Sequence, residues 1–241
     1  MFRHHGKRRT HIHNLRLASI LSFVAGMVNI AGVLGLKTLT TNVTGHFAYF
    51  SEEVEREQYL VAFIFLLYIL AFLLGAFISN FLVEHFGRLK PSIAHTFPIG
   101  LEIALLVGAG LFYECHLLGN GHHHFIACML LMAMGIQNAL VTKVSESVVR
   151  TTHLTGLFTD LGIELSQLFF YTKPAEKTKL NKSIRLRMSI ILFFFSGCLL
   201  GGYLFKFLHL YTLLIAASCL VWAMLYDTVR LRFYVFKRRI R

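Results

Sequence analysis

Charge is scarce in this chain. Only 15% of its 241 residues are charged, against roughly 25% in soluble domains. Acids are scarcest, 12 Asp and Glu against 24 Lys and Arg. Proline is nearly absent, with 3 residues, while Phe occurs 23 times. That balance excludes a disordered chain. The hydrophobic share of 56% also excludes an ordinary soluble enzyme. So much apolar surface cannot be hidden in so small a globule. Cysteines are few and unpaired in spacing: Cys115, Cys128, Cys198 and Cys219 read as small packing residues. There is no phosphate-binding Gly-Lys loop, no GxSxG and no HExxH. Nothing here points to an enzyme, a metal or a cofactor. His122, His123 and His124 lie near Glu114, Cys115 and His116. Adjacent histidines point in different directions, so a solvated loop is expected rather than a metal site. What remains is an all-α, polytopic membrane bundle.

A spanning helix needs about 20 mostly apolar residues. Six stretches qualify: Leu15–Leu36, Leu60–Val83, Ile93–Tyr113, Phe125–Val141, Met188–Leu208 and Leu210–Tyr226. The fourth is short and could begin inside the histidine run. The last two have almost no loop and predict a tight hairpin at His209. Basic residues orient the set, because cytoplasmic loops collect Lys and Arg. With the N-terminus inside and six spans, 21 of the 24 cations fall on the cytoplasmic side. Both termini are then cytoplasmic, and residues 1–14 and 228–241 are basic tails. No nucleic-acid partner is needed to explain them. Thr40–Glu57 and Thr151–Tyr171 each read as helical but too polar to face lipid all round. If both crossed the membrane, 18 of the 24 cations would remain inside, so six spans fit the charge better.

The chain repeats itself. Thr40-Thr41-Asn42-Val43-Thr44-Gly45-His46-Phe47 returns as Thr151-Thr152-His153-Leu154-Thr155-Gly156-Leu157-Phe158, identical at five of eight positions. Upstream, Gly26-Met27-Val28-Asn29 matches Gly135-Ile136-Gln137-Asn138. Downstream, Gly75 and Ser79 resemble Gly197 and Gly201, small residues at the spacing that lets membrane helices approach closely. Three matched blocks in one order imply a duplication: residues 15–114 and 123–227 within one membrane domain, 1–241. Each half holds three spans, so the halves are expected to insert in opposite senses. This is a plan used by secondary transporters.

Thr-Thr-x-x-Thr-Gly has the chemistry of a helix start. Thr accepts from free N–H groups of a first turn, and Gly lets a neighbour come close. Such a terminus inside a membrane suits an anion. If both segments re-enter, the two motifs would meet near the centre. Candidate solute-binding residues are therefore Asn29, Thr41, Asn42, Thr44 and Gly45 in one half. In the other they are Asn138, Thr152, His153, Thr155 and Gly156. The structural alternative is that Thr and Asn cap and join helices around a tight Gly crossing. Ionisable residues inside the membrane are functional candidates. Glu102 lies near the middle of the third span, and Asp160 and Glu164 share one helix face. A desolvated carboxyl favours its neutral form, which suits proton coupling. The alternatives are a satisfied structural hydrogen bond for Glu102 and an interfacial helix for the pair.

These motifs carry a resemblance. Ala25-Gly26-Met27-Val28-Asn29 followed by Thr41-Asn42-Val43-Thr44-Gly45 resembles the start of the YoaK family. Ala133-Met134-Gly135-Ile136-Gln137-Asn138-Ala139-Leu140, then Arg150-Thr151-Thr152-His153-Leu154-Thr155-Gly156, resembles its second signature. The resemblance runs from about Asn14 to Tyr226. It implies a bacterial inner-membrane protein of about six helices, without an established activity. Family members often carry an acid where Asn29 stands, which puts a coupling role there in doubt. Lys37 and the acidic run Glu52, Glu53, Glu55 and Glu57 look particular to this sequence.

The leading expectation is a small secondary transporter for a small polar or anionic solute, with proton coupling through Glu102, Asp160 or Glu164. Six spans are few for such a fold, which points towards a homodimer in the lipid bilayer. The other expectation is a non-transporting scaffold or stress-response partner. It would dock a protein or lipid through a charged Lys173–Arg187 loop and the basic tail.

Overall fold

The computed structural model describes residues 11–89, 93–113, 122–145, 149 and 151–239. Among them are eight α-helices and no strand: α1 His11–Leu36, α2 Val43–Glu55, α3 Tyr59–Leu89, α4 Thr96–Phe112, α5 His122–Val144, α6 Leu154–Gln167, α7 Pro174–Leu208 and α8 Thr212–Arg239. Among the described residues, four stretches are long and apolar enough to cross a membrane: Asn14–Leu36, Tyr59–Leu89, His123–Val144 and Pro174–Tyr226. The last is divided at His209, whose φ of 47° turns the chain sharply between α7 and α8. The expected hairpin is there. Thr96–Phe112 is a shorter apolar helix. The described residues are all-helical, with apolar helices long enough to span a membrane.

Several boundaries differ from expectation. α5 does begin in the histidine run, at His122. Lys173–Arg187 is not a loop. Pro174 fills the first helical position of α7, where its missing N–H costs nothing. From there the helix is continuous for 35 residues. That is roughly 50 Å, well beyond a bilayer core of about 30 Å. Its lysine-rich start therefore projects past the apolar part. The basic tails are shorter than expected, since α1 starts at His11 and the α8 backbone continues to Arg239. Residues 1–10, Lys90, Glu114, Cys115, His116 and Arg150 lie outside the described residues.

α1 and α5 form the centre. Their most apolar windows are 61% and 67% buried, against 17% for α3. α3 turns Leu60, Phe63, Leu67, Leu73, Phe77 and Phe81 outward, as a lipid-facing helix should. Paired glycines set the packing. A Cβ on Gly26 of α1 would strike the Phe194 carbonyl of α7, and one on Gly197 of α7 would strike the Phe23 carbonyl of α1. The same geometry recurs between α5 and α3: Gly135 faces the Phe72 carbonyl, and Gly75 faces the Met132 carbonyl. Each glycine meets the carbonyl three residues before its partner glycine. Helix backbones can come this close only where both side chains are hydrogen. The Cys198 thiol adds a 3.3 Å bond to the Gly26 carbonyl at the first crossing.

Residue pairs along these contacts give helix directions. Tyr68 meets His124 and Glu84 meets Lys143, so α3 and α5 run parallel. Gly26 meets Phe194 and Gly201 meets Met27, so α1 and α7 run parallel. α4 runs against α5, with Gly108 on Met129 and Tyr113 on His123. The start of the α7–α8 hairpin closes the bundle, Leu210 packing on Gly35 of α1 and Gly110 of α4.

Candidate functional site

Each Thr-Gly motif follows a chain reversal. After α1, Lys37 takes a left-handed φ of 55° and the Thr38 N–H bonds the Gly32 carbonyl at 3.2 Å. Gly32 must lack a side chain, because the Thr40 methyl and the Thr38 carbonyl occupy that space. The Thr41 hydroxyl then donates to Asn29 Oδ1 at 3.0 Å. Asn29 lies two turns before the end of α1, so the start of α2 is set back by roughly 10 Å of helix. Asn42 caps α2, its Oδ1 accepting from the Gly45 N–H at 3.1 Å. His46 is buried and donates from Nε2 to the Leu39 carbonyl at 2.7 Å. Its ring meets the Tyr68 ring edge-on, which holds α2 against α3.

The second half repeats this with other atoms. The Ser145 hydroxyl accepts from the Val149 N–H at 2.9 Å after α5 ends. Gln137, two turns before that end, donates to Thr151 Oγ1 at 3.3 Å and to the Leu21 carbonyl of α1 at 2.9 Å. The start of α6 is thus set back as well. His153 takes the cap position without a capping bond, and its ring lies over Gly156.

The two motifs do not meet. One anchors at Asn29, and the other anchors through Gln137 at the level of Leu21. Those positions are eight residues apart on α1, roughly 12 Å. The expected central meeting is thus replaced by two anchors at different heights on the central helices. Of the candidate residues, Asn29 and Thr41 are in contact. Asn42, Thr44, His153 and Thr155 are exposed, while Thr152 and the two motif glycines are half-buried. Asn138 Oδ1 is buried without a partner among the described residues. The residues that seat the motifs inward were missed: Gln137 and Thr151, which bond each other, and Thr40, whose methyl fills the space beside Gly32, are all fully buried. A signal existed for Gln137. It is in phase with Leu130, Ala133, Leu140 and Val144, the buried stripe of α5.

Asp160 and Glu164 do share a face, and it faces α7. Glu164 accepts from Ser183 Oγ at 2.6 Å and from Arg187 Nε at 2.9 Å. Arg187 also reaches Asp160 at 3.4 Å. The acids dock α6 on the charged start of α7. Beside them, Gln167, Tyr171, Lys179 and Ser183 line a cavity of about 480 Å³.

Glu102 is different. It is fully buried, and neither oxygen has a hydrogen-bond partner among the described residues. The α4–α5 register, Tyr113 on His123 and Gly108 on Met129, puts Glu102 level with Gly135. Within about one helical turn of that depth, Ser22 Oγ, Ser79 Oγ, Gln137 Oε1 and Asn138 Oδ1 are also buried without partners among the described residues. Four helices therefore contribute unpaired oxygens to one layer near the middle of the bundle. Buried polar groups are ordinarily paired, so this layer is the most unusual feature of the interior.

The sequence over residues 17–226 matches the profile of a family described as proteins of unknown function, DUF1275. The chain belongs to that family. Among curated proteins, the UPF0700 transmembrane protein YoaK of Bacillus subtilis is 29% identical over 181 residues, covering 73% of this chain and 78% of its own. No solved structure matches. The expected resemblance is borne out, and the likeness to a transmembrane protein, with the long apolar helices, is consistent with a membrane location.

Proposed function

We propose that this protein is a small secondary transporter, not an enzyme, that carries a small polar or anionic solute across a bacterial inner membrane. In this reading α1, α3, α4, α5, α7 and α8 are six crossings, with both termini cytoplasmic. The two halves are inverted, and α2 and α6 are short helices set into opposite faces. The observation that carries the reading is the reciprocal glycine crossing. α1 packs on α7 as α5 packs on α3, each glycine against the carbonyl three residues before its partner. Two equivalent, oppositely directed units are what rocking between outward and inward states requires. Beyond the Gly45 N–H that Asn42 holds, the first turns of the Thr-Gly helices supply N–H groups for the solute, and Glu102 supplies a protonatable group. Arg187 holds Asp160 and Glu164, which leaves Glu102 as the coupling residue of choice.

Orientation is tested first. In a cysteine-free background, Glu57→Cys and Lys173→Cys should react with an impermeant maleimide from opposite sides of the membrane. Labelling from one side would end the inverted reading. Transport is tested in proteoliposomes under a pH gradient, with pools of small polar and anionic solutes. Flux of at least one solute is expected. Thr44→Val with Thr155→Val should slow it about tenfold, the scale of one lost hydrogen bond to a charged group. A folded protein that moves none of them would overturn the proposal.

A further inference from the structure

A second cavity lies where the end of α3, the start of α4 and the end of α5 converge. Its volume is about 390 Å³, and Glu84, Gly87, Arg88, His95 and Lys143 are in its wall. The space is built into the backbone: a Cβ on Gly87 would meet only the Ala94 methyl, at 4.0 Å. Lys143 bonds Glu84 across the α3–α5 contact at 2.7 Å, and both side chains are half exposed. Arg88 follows Glu84 by one turn. Among the described residues it makes no salt bridge and no hydrogen bond, and its side chain is exposed. An arginine fork beside a lysine is the pairing that grips a phosphate oxygen pair.

The rest of the wall narrows the ligand. Phe77, Phe81, Glu84 and Arg88 fall on one stripe of α3, at helical spacings of three and four. Phe77 and Phe81 are exposed, and their rings stack with His85 below them. The stripe thus runs from a lipid-facing aromatic surface into a charged pocket. Glu84 disfavours a bare inorganic phosphate by repulsion, yet it accepts from hydroxyl groups. A singly charged phosphodiester bearing a polyol satisfies both conditions.

We propose that this pocket binds the headgroup of an anionic glycerophospholipid such as phosphatidylglycerol. The phosphodiester lies on Arg88 and Lys143, the glycerol hydroxyls on Glu84, and the acyl chains along Phe77 and Phe81. Basic pockets between membrane helices are established sites for anionic headgroups. This proposal does not depend on transport.

The test is native mass spectrometry and thermal unfolding of the full chain in detergent. The probes are added phosphatidylglycerol, phosphatidylcholine and inorganic phosphate. Phosphatidylglycerol should be retained and should raise the unfolding temperature, with the other two doing neither. Arg88→Gln removes an exposed, unbonded side chain, so the fold should persist. It should weaken phosphatidylglycerol retention about tenfold, the scale of a lost charged hydrogen bond. Lys143→Gln should weaken it too. Equal retention of phosphatidylcholine, or full retention in Arg88→Gln, would overturn the site. Equal stabilisation by inorganic phosphate would make it a free-anion site and overturn the lipid.

Discussion

Alanine at Gly26 or Gly135 should sharply lower the unfolding temperature of the purified protein. The added methyl meets a backbone carbonyl in each case, Phe194 for Gly26 and Phe72 for Gly135. A side chain could rotate away, but a helix backbone cannot yield without moving its neighbours. Overpacking of this kind costs about 1–3 kcal/mol, and a clash with backbone belongs at the upper end. The two crossings share no residues, so the double variant should lose close to the sum. Gly100 and Gly162 are the controls. Both are exposed in helices, and a Cβ there meets nothing within 4 Å. Alanine at those sites should be neutral or should stabilise by roughly 0.5–1 kcal/mol through helix propensity. Thermal unfolding of the four single variants in one detergent decides it. Equal effects at all four would mean that the glycines serve flexibility, not contact.

The second large effect is at Glu102. Glu102→Gln should leave the fold intact and remove the response of transport to a pH gradient. Glu102→Leu should raise stability by about 1–3 kcal/mol, because an unpaired buried polar group gives way to a similar apolar volume. A carboxyl held for structure behaves in the opposite way, since losing it strands its partners. Here neither oxygen has a partner among the described residues, so the carboxyl is expected to contribute nothing to folding. Solute flux with and without a pH gradient, read beside the unfolding temperature, separates the two roles. A destabilised Glu102→Leu protein, or pH-coupled flux in Glu102→Gln, would refute the assignment.

The candidate site was legible in part. Glu102 stood out because an acid in an apolar run is rare and costly in any membrane fold. The pairing of Asp160 and Glu164 on one face was also legible, since helix periodicity alone sets it. Their partner was not: Arg187 sits on another helix, and only the docking of α6 on α7 brings it within 2.9 Å of Glu164. Asn138 was favoured over Gln137 by its match to Asn29. Adjacent helix residues point about 100° apart, and the repeat alignment carries no information on which of them turns inward. Lys173–Arg187 looked like a loop because it is charged. A helix that leaves the bilayer carries charge in the same way.

The sequence by itself determined the class and the apolar helices, and it displayed the matched motif blocks, because each follows from local pattern. Long apolar runs must be helical in lipid, where every backbone polar group needs an internal partner. Matched Thr-Gly and Gly-x-x-Asn blocks need only to be read side by side. Tertiary structure decided which glycines touch which carbonyls, which acids are neutralised and where the two motifs stop short of each other. Those outcomes depend on helix rotation and register. Neither is set by hydrophobicity, since lipid and protein interior are nearly equally apolar, and both are set by the close packing that only the folded bundle provides.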